Sequence, residues 1–541
     1  MKFIVVTGGV LSSVGKGISS SSIGVILRMH GLHVTSIKID PYLNVDAGTI
    51  SPYDHGECYI TADGMPSDLD LGSYERFTDV NLLGCHNITT GKIMQSILQK
   101  ERAGQYLGQT VQYVPHFTDE VVQWIQRVAA MSVTPDGITP DVCLVEVGGT
   151  VGDVEIAAMI EALRQMTHKS APEDICHVHV SLIVRLESTE ESKTKPVQHG
   201  VKKLRAYGIN PDFLFLRCGR PLENGITQKL HNHCQVPLEN IVGLPDVVNI
   251  YEVPIILHRC NFWEQLQKKL HIQGELTDYY SQWTELLHKF SWNSCPVVTV
   301  GIVGKYSGLH DSYLSLKHAI HHACAHSGFQ PKIEYINAES LTVDSSCLDS
   351  LHAVVVPGGY GTRGIKGMKV ALKYARTKGL PCLGICLGFQ LMPIELMESA
   401  GCDNVTSEEF DQSPFHKFVV KALYDLTLDI DKSTRLGTRN LLLRRNTLAW
   451  KCFQEDHVTE RHRHRYGVAT QWLPELKALH FIMSGTGCDK VAGESVVEIM
   501  ELLGHPFYMG VQFHPEFNSR PFRPHPIFLQ LIQTAGARPQ L

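Results

Sequence analysis

Residues 7–27 read TGGVLSSVGKGISSSSIGVIL, a glycine-rich turn set between an apolar run and a helical pattern. The β-branched stretch from Phe3 to Thr7 predicts a buried strand, and the pattern from near Ile18 onward predicts a helix. Strand, loop and helix N-terminus in that order make an anion cradle. Loop N–H groups and the positive end of the helix dipole face one point, and Lys16 adds a charge. The spacing departs from the common phosphate loop, which has a glycine well ahead of its Gly-Lys pair and a hydroxyl residue directly after it. Val10 and Gly17 occupy those two positions here, so a cation accompanying a phosphate must find its ligands elsewhere. An ordinary glycine turn between strand and helix remains the other reading of this stretch alone.

The chain around this loop has 541 residues, too many for a single core. A prior of ~150 residues per domain gives about two to four units. Hydrophobic residues at 43% and charged residues at 19% are ordinary for a globular protein in water. The opening MKFIVVTGG reads as a strand entering a turn rather than a signal sequence. No run approaches the roughly 18 apolar residues of a membrane span, so the expected location is cytoplasmic, with no membrane partner. A net charge of −6 argues against a nucleic-acid partner. The 15 cysteines have no regular spacing and no C-x-x-C pair, which predicts reduced, mostly buried thiols. RHRHRY at 461–466 reads as an ion-pairing or substrate-binding segment rather than a metal site.

Two series of alternating strands and helices flank a segment of different character, which predicts an α/β fold of two domains, each a mostly parallel sheet covered by helices. Strand-like runs of the first series lie at Phe3–Thr7, His33–Ile39, Val142–Val147, His177–Val184, Phe213–Arg217 and Val253–Leu257. From about Gln265 to Ser294 the pattern is polar and aromatic at helical spacing, as in a connecting helix. The second series runs from CPVVTVGIVGKY through HAVVVPGGYGTRG and LPCLGICLGFQ to YMGVQFHPEF. The expected division is 1–270, a linker at 271–295, and 296–541.

In the second series, GICLGFQ sets Gly384, Cys386 and Gly388 directly after the strand Leu380–Ile385. Small residues on both sides of a nucleophile permit a strained strand-to-helix turn, with the thiol at a helix N-terminus that favours the thiolate. A buried structural cysteine between glycines is the bland alternative. FHPEF adds His514 and Glu516, which on a strand end would point to one side, so that a base and the carboxylate orienting it complete a Cys-His-Glu set. VPGGYGTRG offers free N–H groups for an oxyanion, with the N–H of Leu387 as second donor.

These pieces resemble the class I glutamine amidotransferases, which release ammonia from glutamine through a cysteinyl thioester. The resemblance implies that Gly359 is an oxyanion donor and that Leu387, Gly388, Phe389, Gln390, Glu409 and Arg465 hold glutamine. A glutaminase joined to a phosphate loop implies activation of an oxygen by phosphorylation and its displacement by ammonia. For a Mg2+ ion, SDLDLGSYERF offers Asp70 and LVEVGGTVGDVE offers Glu146. Asp68 or Asp70 could equally cap a helix beginning near Leu71. The lysines of ESKTKPVQHGVKKLR read, from spacing alone, as a solvated face.

The set GGVLSSVGKG, IKIDPYLNVDAGTISPYDHGE, DLDLGSYERF, VEVGGTVGD, KTKP, PGGYGTRG, GICLGFQ, ERHRHRY and FHPEF, in that order, resembles the CTP synthase family over nearly the whole chain. That resemblance implies that ATP phosphorylates the 4-oxygen of UTP and that ammonia from glutamine, passed internally, replaces it to give CTP. It places Ser13, Val14, Gly15, Lys16, Gly17, Ile18 and Asp70 on ATP, with Lys16 and Lys38 stabilising the transferred phosphoryl group and Asp70 and Glu146 on Mg2+. Ser12, Asp153, Val154, Glu155, Lys193, Thr194, Lys195, Pro196, Val197, Gln198 and Lys229 fall on the UTP or CTP site. Cys386, His514 and Glu516 become nucleophile, base and orienting carboxylate. The family also implies activation by GTP, inhibition by CTP, a homotetramer and, in many members, filaments.

Three departures stand out against the family pattern. Glu190-Glu191-Ser192 replaces a Gly-Glu pair before KTKP and adds a carboxylate beside a triphosphate site. Cys58 stands where valine is usual, near His55, and DKSTRLGTR shortens the lid that carries Arg435. Another glutamine-dependent amidoligase, such as a cobyrinic acid amide synthase, and a catalytically weak regulatory or filament-forming homologue are the alternative readings.

Overall fold

The computed structural model describes residues 1–541 except 135, 187–190, 293, 342–344, 414, 425–432, 492–493 and 539–541. By compactness it divides into one unit of Met1–Thr49 with Asp70–His288 and another of Ile50–Leu69 with Lys289–Leu541.

The first unit is built on a seven-stranded sheet in the order Ile241–Pro245, Phe213–Cys218, Ile175–Leu182, Lys2–Gly8, Val142–Val147, Val34–Asp40, Asn87–Thr89. Every pairing is parallel. Helices cover both faces of such a sheet, which is why its inner strands read as continuous apolar runs; Ile4, Val5 and Val6 are fully buried. The helix Lys16–Met29 starts after Gly15, whose φ of 94° lies in the region that glycine adopts freely. Register places Glu146 opposite both Val6 and Lys38, so the functional candidates emerge at the carboxyl ends of adjacent strands.

Two expectations need correction here. Val253–Leu257, expected as a strand, belongs to the helix Val253–Arg259, with Pro254 in its first turn, where a missing N–H leaves nothing unsatisfied. A short apolar run does not distinguish a strand from a buried helix, and the outer strand is instead Ile241–Pro245. The expected connecting helix is two helices, Phe262–Leu270 and Asp278–Lys289. Between them, His271 has a φ of 49°, and a methyl on Gly274 would lie 2.4 Å from the His30 carbonyl oxygen. Trp283 on the second helix is fully buried, its indole N–H donating to the Tyr251 carbonyl at 2.9 Å, so this helix packs into the first unit's core.

The second unit carries a nine-stranded sheet in the order Gln330–Asn337, Val297–Gly304, Ala353–Val356, Cys382–Ile385, Tyr508–Val511, Glu494–Leu502, Phe481–Val491, Arg435–Leu443, His457–His464. The first five strands are parallel and the rest antiparallel. Residues 50–69 join this unit through the Glu57 carboxylate, which accepts from the Ser315 N–H at 2.9 Å, and through Tyr59. All 15 cysteines are free thiols. No helix among the described residues is long and apolar enough to cross a membrane.

Candidate functional site

In the first unit the loop folds back on itself: a methyl on Gly8 would lie 2.7 Å from Lys16 Nζ, and that ammonium donates to the Gly149 carbonyl at 2.8 Å. Ser13 adopts a φ of 55°, and its carbonyl accepts from Arg217 at 2.9 Å. Lys38, 4% exposed, lies 3.3 Å from Asp40 and is bonded to Asp70. Asp70 sits in the first turn of the helix Leu69–Thr78, packed so closely against Gly17 that a methyl there would lie 2.2 Å from its Oδ1. Glu146 is buried and receives the Tyr74 hydroxyl. Burial first, then the facing Asp70, push its carboxyl well above the usual carboxylate range. Burial, together with Lys38, lowers Lys16. Two lysines and two carboxylates thus share one cluster, an oxygen-rich set suited to a hard cation and phosphate oxygens.

The nucleotide candidates lie on separate segments. Asp153 is held by the Thr150 hydroxyl and N–H, and Val154 is 87% exposed. Lys193 is ion-paired to Glu191, and Lys229 lies close enough to add to the lowering of that carboxyl. The pair answers part of the charge problem read from this stretch; Glu190 itself lies outside the described residues. Gln198 donates to the Thr194 hydroxyl at 3.1 Å. Pro196 opens the helix Lys195–Ala206, and Val197 is fully buried in a small cluster with Val201 and Leu230.

In the second unit the elbow has a steric cause. Cys386 has φ 52° and ψ −102°, between the strand Cys382–Ile385 and the helix Leu387–Ser399. A methyl on Gly388 would lie 2.0 Å from the Val356 carbonyl oxygen, and one on Gly384 would lie 2.9 Å from Gly388 backbone atoms. Both neighbours of the turn must therefore be glycine. His514 and Glu516 are not on the strand, which ends at Val511; they open a short turn, Pro515–Phe517, that still brings them together. His514 Nδ1 donates to Glu516 Oε1 at 2.8 Å, which leaves Nε2, buried and with no hydrogen-bond acceptor in range among the described residues, on the side of Cys386. Burial alone would lower the His514 pKa, but Glu516 and the neighbouring Cys386 outweigh it and carry it up to about 10. A methyl on Gly358 would meet His514 Cε1 at 2.9 Å and Cys386 Cβ at 3.4 Å, so thiol, imidazole and this backbone converge on one point. The thiol lies against the Arg463 carbonyl at 3.6 Å.

Around that point, Glu409 accepts from the Gly361 N–H at 2.7 Å and lies near Lys305 and Arg465; burial raises its pKa against both. Arg465 donates to the Ser433 hydroxyl at 2.8 Å. The Gln390 amide donates to the Tyr466 carbonyl at 2.9 Å, and Phe389 is fully buried. Lys305 escaped the sequence reading. Its buried ammonium donates to the Tyr360 and Gly361 carbonyls at 2.7 and 3.0 Å, and burial lowers its pKa to about 8. The signal was available in VGKY, a lysine at a strand end. Arg435 of the lid segment is fully buried, bonded to Glu498 and, at 2.6 Å, to Asp489. His464 donates from Nδ1 to the Tyr466 carbonyl at 2.8 Å, and burial lowers its pKa to about 3, so it stays neutral.

A glycine-loop unit with a lysine-carboxylate cluster, on one chain with a cysteine elbow backed by His and Glu, defines a glutamine-dependent amidoligase. The comparisons with known proteins narrow this. The profile of the CTP synthase N-terminus matches residues 2–272, and that of class I glutamine amidotransferase matches 309–534. CTP synthase of Methanothermobacter thermautotrophicus is 43% identical over 538 residues, covering 99% of this chain and 99% of its own. The Dictyostelium discoideum CTP synthase is 43% identical over 572 residues, again covering 99% of each. Human CTP synthase 1 is 41% identical over 557 residues, 99% of this chain and 93% of its own. The chain belongs to the CTP synthase family, the enzymes that convert UTP to CTP with glutamine as nitrogen source.

Proposed function

We propose that this chain itself carries out the family reaction, with the nucleotide chemistry in its first unit and glutamine hydrolysis in its second. The observation that carries the reading is the His514–Glu516 hydrogen bond of 2.8 Å with the other imidazole nitrogen left open beside Cys386. Cys386 sulfur, its proton already resting on His514 Nε2, attacks the glutamine amide carbon, and His514 gives that proton to the departing ammonia. Water, deprotonated by the same imidazole, then releases glutamate from the thioester. N–H groups of Gly359 and Leu387 face the developing oxyanion, while Glu409 and Arg465 suit the ammonium and carboxylate of glutamine.

In the first unit the loop Ser13–Ile18 cradles ATP, and Lys16 and Lys38 offset charge on the phosphoryl group as it moves to the UTP 4-oxygen. Ammonia adds at the ring carbon and phosphate leaves. Asp70 and Glu146 would hold Mg2+, which supplies charge neutralisation at the phosphates; the fit rests on the donor set, two carboxylates from different segments meeting beside Lys16 and Lys38. Lys193, Gln198, Lys229 and Asp153 would recognise UTP and, as inhibitor, CTP. Family membership further supports GTP activation, a homotetramer able to form filaments, and a cytoplasmic location. The test is CTP formation from UTP, ATP and Mg2+ with glutamine or ammonium, in the native protein and in Cys386→Ala. Loss of only the glutamine-driven rate is expected. Absence of CTP from either donor in the native protein would favour a regulatory or scaffold role.

A further inference from the structure

The His514 ring is held from several sides. Glu516 binds Nδ1, Phe517 stacks on the ring with centroids 5.2 Å apart at 19°, and the His514 N–H donates to the Arg461 carbonyl at 2.8 Å. Phe517 and Arg461 both lead back to Tyr59, in the segment 50–69. The Tyr59 ring meets Phe517 edge-on at 5.0 Å, and its hydroxyl accepts from Arg461 Nη1 at 2.9 Å while donating to the Phe517 carbonyl at 3.3 Å. Arg461 Nη1 also donates to the Ile60 carbonyl at 3.0 Å. Tyr59 is fully buried and Arg461 is 2% exposed, so solvent does not compete for these bonds.

We propose that Tyr59 is a positioning residue for glutamine hydrolysis. Clamped by Arg461, it fixes Phe517 and through it the ring plane of His514, so the seating of residues 50–69 sets how well the base is aimed at Cys386. This segment continues directly into Asp70, the carboxylate bonded to Lys38 in the first unit. The inference rests on the glutaminase role proposed for His514.

The full-length protein is compared with Tyr59→Leu and Tyr59→Phe, reading glutamine hydrolysis against pH, KM for glutamine, and ammonium-driven CTP formation. Misaiming a base lowers turnover rather than affinity, so Tyr59→Leu is expected to lose ~10–100-fold in kcat. KM and the ammonium rate should hold, the pH profile should shift, and Tyr59→Phe, which keeps the ring, should recover most of the loss. An unchanged kcat and pH profile in Tyr59→Leu overturns the proposal, as does an equal loss of both activities. If Tyr59→Leu does not fold, Phe517→Leu is read the same way and decides. No glutamine hydrolysis in the unaltered protein overturns the parent reading, and the positioning role with it.

Discussion

His514, directly before the turn Pro515–Phe517, and Glu516 within it meet across 2.8 Å, and their contact decides which imidazole nitrogen faces Cys386. Because the raised His514 pKa lies above its ordinary value, the imidazolium form is present below about 10 and is lost as pH rises through that value. The stabilisation it lends the fold is complete below the unfolded-state value and fades between there and about 10. Glu516→Gln should move the loss of charge to lower pH and reduce kcat for glutamine hydrolysis by ~100–10,000-fold. The pH dependence of Cys386 alkylation by iodoacetamide checks the first point. A profile that does not move in the variant would mean that Glu516 does not set the charge of His514.

Gly388 has no room for a side chain, since an added methyl would sit 2.0 Å from the Val356 carbonyl. Gly388→Ala should destabilise the protein by about 1–3 kcal/mol or more, the cost of overpacking against backbone. Gly219→Ala, with no atom of the described residues within 4 Å of the added methyl, is the control. Equal melting temperatures for the two variants would refute the steric account of the elbow.

Lys38 touches Asp40 and Asp70 and is nearly inaccessible, so its charge acts within this lysine–carboxylate cluster. Lys38→Met should lower CTP formation from both nitrogen donors by roughly 100–1,000-fold, the usual effect of removing one preorganised charge partner. Glutamine hydrolysis should persist. A variant that loses only the glutamine-driven rate would place Lys38 outside phosphoryl transfer.

Glu191 holds Lys193 in an exposed ion pair. Exposed pairs of this kind are weak, so Glu191→Gln should free the lysine and tighten UTP binding by ~2–5-fold. Isothermal titration with UTP measures this directly. Weaker binding in the variant would mean that the carboxylate helps to orient Lys193 rather than competing for it.

Much of the site was legible because its parts are local. The Gly15–Lys16 loop and the glycines around Cys386 announce backbone conformations that few other residues adopt, and their flanking runs have the length of buried strands. Local patterns misled where they were ambiguous: Val253–Leu257 has the composition of a strand, yet Pro254 opens a helix. Lys305 was missed because its role depends on the Tyr360 and Gly361 carbonyls, 55 and 56 residues away.

By itself the sequence determined the two α/β units, the strand-loop-helix cradle and the elbow, since strand period, helix starts and glycine placement act within a few residues. Tertiary structure decided which charges meet, as in Lys38 with Asp70 and Arg435 with Glu498, and it decided where residues 50–69 belong. Glu57 finds Ser315 at a separation of 258 residues, and Tyr59 finds Arg461 at 402. Buried polar groups must be satisfied wherever the fold supplies a partner, and no local pattern carries that partner's address.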